Sequence, residues 1–213
     1  MNSTQVNHAS NDKKKYPIIV TISFFIITSL VSFFYHDFWT IFDQDGLIYL
    51  SAGQQILEGN GNNVSLPNSG PAGPILFAVL EMITNNGLFA TKIVSIFSGT
   101  AIVFFSYHVF RNIFDYRIAI ISQLFIAFNP WVGILSISSQ NDLTPISLAI
   151  ISLYFITKNK IKFFDILISA SFLGIAFMFR TQPIIFFLAI IIFIILMKKD
   201  KKFKTIGITL FII

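Results

Sequence analysis

The 213-residue chain is 54% hydrophobic, contains 26 phenylalanines, has only 12% charged residues, and carries a formal charge of +5 with no cysteine. Soluble domains run nearer ~25% charged, and this much apolar surface does not fit inside one soluble core, so a membrane is its natural solvent. The missing thiols exclude disulfide frameworks, zinc–thiolate sites and cysteine nucleophiles. The positive charge sits in short clusters between apolar runs, which reads as membrane topology and not as a nucleic-acid surface.

Residues 1–16 read as a polar, disordered cytoplasmic tail ending in Lys13, Lys14 and Lys15. The apolar run at 17–35 follows. It matches the ~20 residues a spanning helix needs and ends in Tyr35-His36-Asp37-Phe38-Trp39, an aromatic interface belt, so it reads as an uncleaved first span and not as a signal peptide. Further spans are expected at 88–110, 118–137 (interrupted by Asn129-Pro130), 143–157, 163–179 and 183–197, with a last run at 205–213. A helix at 74–84 is too short to span and suits the interface. The fold class is all-α, a polytopic transmembrane helix bundle of six or seven spans. Residues 17–213 form one module, with a large first outer loop at 36–87 and a C-terminus that breaks off in mid-helix.

A cytoplasmic N-terminus puts Lys13 to Lys15, Arg111, Arg117, Lys158, Lys160, Lys162 and the cluster at 198–204 inside, which is 13 of the 15 basic residues. Asp37, Asp43, Asp45, Glu58, Glu81 and Asp142 fall outside. The two exceptional cations, Lys92 and Arg180, map to outer helix ends.

The outer loop holds Asp43 and Asp45 just before an amphipathic run at 46–57. Asp45 is placed to cap that helix. The plain reading of the two acids is a capping or turn pair. The chemical reading is a carboxylate fixed at the water–lipid boundary, able to act as a general base, or a pair sharing a divalent metal. Lys92 has an equally plain reading, a side chain snorkelling to head groups. Arg180 interrupts an apolar stretch at 163–197 and calls for a partner, which is either a lipid phosphate or Asp142. Asp142, in Ser138-Ser139-Gln140-Asn141-Asp142, reads as a helix cap or as a second acid facing the same cavity.

The residue order carries a resemblance: an Asp-led outer loop, Tyr49, a Leu57-Glu58-Gly59 step, a Gly/Pro-rich stretch, a basic residue opening the next span, Asn129-Pro130, an outer acid and Arg180-Thr181-Gln182-Pro183. This resembles the GT-C class of membrane glycosyltransferases, and within it glycosyltransferase family 39, the protein mannosyltransferase and aminoarabinose transferase type, over roughly residues 17–205. The resemblance implies transfer of a sugar from a polyprenyl-phosphate-linked donor, with inversion, to a lipid, glycan or protein acceptor outside the cell membrane. It implies Asp45 as the general base, favoured over Asp43 by the spacing to Tyr49, Gly53 and Gly59. It implies Lys92 and Arg180 at the lipid phosphate, with Tyr49 and Asp142 lining the same site. A divalent metal, Mg or Mn, would draw on Asp43, Asp45 and Asp142. The chain departs from the family in having Asp43-Gln44-Asp45 where several members carry Asp-Glu, and in ending before the family's further helices and soluble outer domain. The rival readings are a non-catalytic module of the same fold and a transporter. The latter lacks the internal repeat it should show.

Overall fold

The computed structural model describes residues 3–34, 44–61, 70–196 and 211. Nine helices occur among the described residues: α1 (Ser3–Phe34), α2 (Gln44–Leu57), α3 (Ala72–Thr84), α4 (Gly87–Ile113), α5 (Tyr116–Ala127), α6 (Pro130–Ile137), α7 (Leu143–Thr157), α8 (Phe163–Phe179) and α9 (Ile184–Leu196). The protein is an all-helical bundle. Its solvent-facing surface is apolar, with Ile22, Phe33, Phe97, Phe125, Phe128 and Trp131 all exposed, the reverse of a soluble domain and the expected surface of a protein bathed in lipid. α1 is helical from Ser3, so the polar residues before Tyr16 continue the helix and do not form the disordered tail expected from composition.

Among the described residues two segments, Lys15–Phe34 and Gly87–Ile113, are long and apolar enough to cross a membrane. A third is the pair α5 and α6, bent by 55°. The bend has a local cause. Asn129 Oδ1 accepts from Trp131 N at 2.9 Å and Pro130 occupies the first turn, so a new helix starts where the old one stops. α7, α8 and α9 are apolar but have 15, 17 and 13 residues, short of the ~20 of a perpendicular span. An expectation of six or seven spans therefore rests on these shorter helices. The run at 205–213 lies outside the described residues except for Phe211.

α4 is the central element, packed against α1, α3, α5, α6 and α7. α7 and α8 form an antiparallel hairpin whose elbow is fastened by Lys158 and Asp165. Their N–O distance is 2.7 Å, with the ammonium 4.3 Å from the Phe155 ring centroid. Ile156, Ile166, Leu173, Ile190 and Ile194 pack where α7, α8 and α9 meet. Apolar packing gives little net drive between helices in lipid, so buried hydroxyls and amides add specificity. Ser169 Oγ donates to the Ser152 carbonyl at 2.8 Å. Gln123 Nε2 donates to the Pro17 carbonyl at 2.9 Å and to Thr21 Oγ1 at 3.1 Å, tying α5 to α1. Ser169→Ala is expected to lower bundle stability by ~0.6 kcal/mol, and by no more than ~1.7. The denaturation midpoint in detergent measures this, and a midpoint equal to wild type would show that the Ser169 hydroxyl is idle.

Candidate functional site

At the end of the bundle opposite the Lys158 elbow, four elements converge on the turn at 138–142. The turn is built locally. Ser138 N donates to Ile134 O at 3.1 Å, closing α6, and Ser138 Oγ accepts from Gln140 N at 3.4 Å. Ser138, Ser139 and Asn141 are all buried. α4 holds the turn from one side. Ser95 Oγ donates to the Gln140 carbonyl at 2.9 Å, and one turn further along Ser98 Oγ lies 3.0 Å from Thr144 Oγ1 at the start of α7.

α2 and α3 approach the turn through glycines. Gly73, in the first turn of α3, lies against the Asn141 amide and within reach of the Tyr49 ring. Gly70, just before α3, donates its N–H to the Phe179 carbonyl at 3.2 Å and abuts the Met178 carbonyl, so α3 is also docked on the end of α8. Glu81 fastens the other end of this layer. Its Oε1 accepts from Gln54 Nε2 of α2 at 3.0 Å, and its Oε2 lies beside Gly87, where the positive end of α4 favours a carboxylate. Asn85, in the left-handed conformation with φ 51°, ends α3, and Asn86 caps α4 by accepting from Phe89 N.

The charged candidates take definite places in this frame. Asp142 stands at the cap position of α7 but makes no capping bond with its side chain; its carboxylate pairs with the Arg180 guanidinium. The helix-cap reading of Asp142 therefore gives way to the ion pair. Arg180 follows directly on α8 in extended backbone, φ −157° and ψ 159°, with its N–H still bonded to Ala176 O at 3.2 Å. The side chains of Arg180 and Asp142 are 19% and 25% exposed, so the pair is sheltered but reachable. Lys92 does not snorkel. It is 7% exposed, in the second turn of α4, on the face that one turn later presents Ser95 to the turn at 138–142.

Tyr49 is 4% exposed and packs edge-on against Phe77, with ring centroids 6.5 Å apart, in a cluster with Val94. Its ring lies in the core that joins α2, α3 and α4. α2 starts at Gln44, two residues before the expected 46, so Asp45 is the second helical residue and not the cap. The side chain of Asp45 and the whole of Asp43 lie outside the described residues. Among the described residues no three His, Cys, Asp or Glu side chains form a metal-holding group, and the one described carboxylate of the expected metal set, Asp142, is engaged by Arg180. Sequence reasoning missed Asn141, Ser95 and the glycine contacts, because each of these contacts joins segments distant in the chain and none has a local pattern.

A family model described as dolichyl-phosphate-mannose-protein mannosyltransferase matches residues 68–213. The matched region contains Lys92, Asp142 and Arg180 and begins after Asp43, Asp45 and Tyr49. Neither a curated protein nor a solved structure matches the chain.

Proposed function

The chain belongs to the dolichyl-phosphate-mannose-protein mannosyltransferase family, and from that premise we propose that this multi-pass membrane protein transfers a sugar from a polyprenyl-phosphate donor to an acceptor hydroxyl at the end of the bundle that holds Asp142 and Arg180. That end faces outward in the cell membrane, with the N-terminus in the cytoplasm, on the charge asymmetry of the loops. The observation that carries the reading is that a buried Lys92 and a sheltered, reachable Arg180 both lie at the end of the bundle built around the turn at 138–142. Charges at a membrane-protein interior are costly and mark function by default. A phosphodiester head group is the anion that a lipid-borne sugar donor would bring there, and a guanidinium fork suits its oxygens.

In this reaction Asp45 takes the proton of the acceptor hydroxyl. The freed oxygen attacks the anomeric carbon from the face opposite the phosphate. The bond from that carbon to the phosphate oxygen breaks, the anomeric configuration inverts, and polyprenyl phosphate leaves. Lys92 and Arg180 offset the charge gathering on the leaving phosphate. Asp142 holds Arg180 in place before the donor arrives.

One observation favours the alternative of a non-catalytic module: the charge of Arg180 is already balanced by Asp142. Lipid titration separates the two. With the protein in nanodiscs, polyprenyl phosphate is expected to bind and uncharged polyprenol of the same length to bind at least tenfold more weakly, with Lys92→Met closing most of that gap. Equal binding of the two lipids by the wild-type protein would refute the phosphate site.

A further inference from the structure

We propose that Gly46 is a positioning residue, which sets the place of Asp45 relative to the Asp142–Arg180 pair by letting α2 rest directly on the backbone of the turn at 138–142. The proposal rests on the reading of Asp45 as the general base.

A Cβ on Gly46 would collide with the carbonyl oxygen of Ser139, stand 2.8 Å from its carbonyl carbon and 3.0 Å from its Cβ. Real Cβ atoms essentially never come that close to backbone. The obstacle cannot swing aside as a side chain would. Ser139 is 1% exposed, the residue before it is closed onto α6, and the carbonyl after it is held by Ser95. Any side chain at 46 must therefore lift α2 away from the turn.

Asp45 is joined to Gly46 by one peptide bond inside the same helix, so it moves with that lift. Asp142 belongs to the turn and stays behind with Arg180. The neighbouring contacts do not absorb the shift. Gly73 meets the turn as well, but at the side-chain amide of Asn141 and not at its backbone, and Gly53 meets α3, which is itself docked on α8 through Gly70. Gly46 has no positive φ; among the described residues only Gly59 and Asn85 do. Alanine suits its helical conformation and is the better helix former, so loss of helix cannot explain a defect in Gly46→Ala.

The experiment uses the full chain in nanodiscs with polyprenyl-phosphate mannose as probe and a membrane extract as the source of acceptor hydroxyls. Donor affinity and single-turnover release of polyprenyl phosphate are measured for wild type, Gly46→Ala and Gly174→Ala; the last has nothing within 4 Å of its added Cβ. The expected result is a fall in release on the order of 10²-fold for Gly46→Ala, as a ~1 Å misplacement gives, with donor affinity unchanged and Gly174→Ala like wild type. Release from Gly46→Ala equal to wild type overturns the proposal. So does a parallel loss of affinity and release, which would make Gly46 a residue of the fold alone. A wild-type protein that binds the donor but releases nothing, with Asp45→Asn no different, removes the reading beneath the proposal and the proposal with it.

Discussion

Arg180→Met is expected to weaken donor binding roughly 10- to 150-fold, the equivalent of the ~1.5–3 kcal/mol that a hydrogen bond to a charged group contributes. The argument depends on what the guanidinium does without donor. It is paired with Asp142, in a setting where each side chain is about three-quarters or more hidden. A phosphate entering this end must share Arg180 with that carboxylate or displace it. Asp142→Asn therefore shifts binding the other way: it removes the competitor and raises donor affinity several-fold, while lowering thermal stability because Arg180 loses its balancing charge. Isothermal titration with polyprenyl-phosphate mannose reads the first effect and the denaturation midpoint reads the second. Weaker donor binding in both variants would show that Asp142 contacts the donor itself and is no competitor.

The largest effect on rate is expected at Asp45. Asp45→Asn keeps the size and the helix position but cannot take a proton, so turnover should fall by ~10²–10⁴-fold, the usual contribution of a general base, with donor affinity unchanged. Asp43→Asn is the internal comparison. Asp43 is the second acid that the sequence offers, and asparagine keeps its size and its ability to cap or turn while removing its ability to take a proton. A small loss at Asp43 and a large one at Asp45 fits the assignment. The reverse pattern would move the base to Asp43 and leave the rest of the site as described. The measured quantity is polyprenyl phosphate formed per enzyme in quenched single-turnover reactions with acceptor present, which separates chemistry from product release.

The bundle was largely legible because membrane helices announce themselves by runs of apolar residues between charge clusters. α7 and α8 fall at 143–157 and 163–179 as read from the sequence, and the bend between α5 and α6 sits at the Asn129-Pro130 that signalled it. The ends of α1 and α2 were less legible. Polar residues carry α1 back to Ser3, and α2 starts one residue before Asp45, a shift of the size by which helix ends commonly vary.

The site was legible by residue type more than by geometry. Arg180 called for a partner, and Asp142 was one of two candidates because an isolated cation in an apolar run is costly. The pattern could not show that Asp142 prefers the guanidinium to its own helix end. Nor could it show that Lys92 turns inward, because that depends on Ser95 of α4 reaching Gln140 in a distant turn. The seat of Gly46 on Ser139 has no sequence signature at all: a glycine in a helix has many explanations, and the backbone it touches is remote in the chain.

The most direct test of the central claim is phosphorus NMR of polyprenyl-phosphate mannose incubated with the reconstituted full chain and a membrane extract as acceptor source. The donor is a phosphodiester and the product lipid a phosphomonoester, so their signals are distinct. The account predicts that the diester signal converts to the monoester with wild-type protein and persists with Asp45→Asn. A diester signal that persists with wild type, or that disappears equally with both proteins, would contradict it.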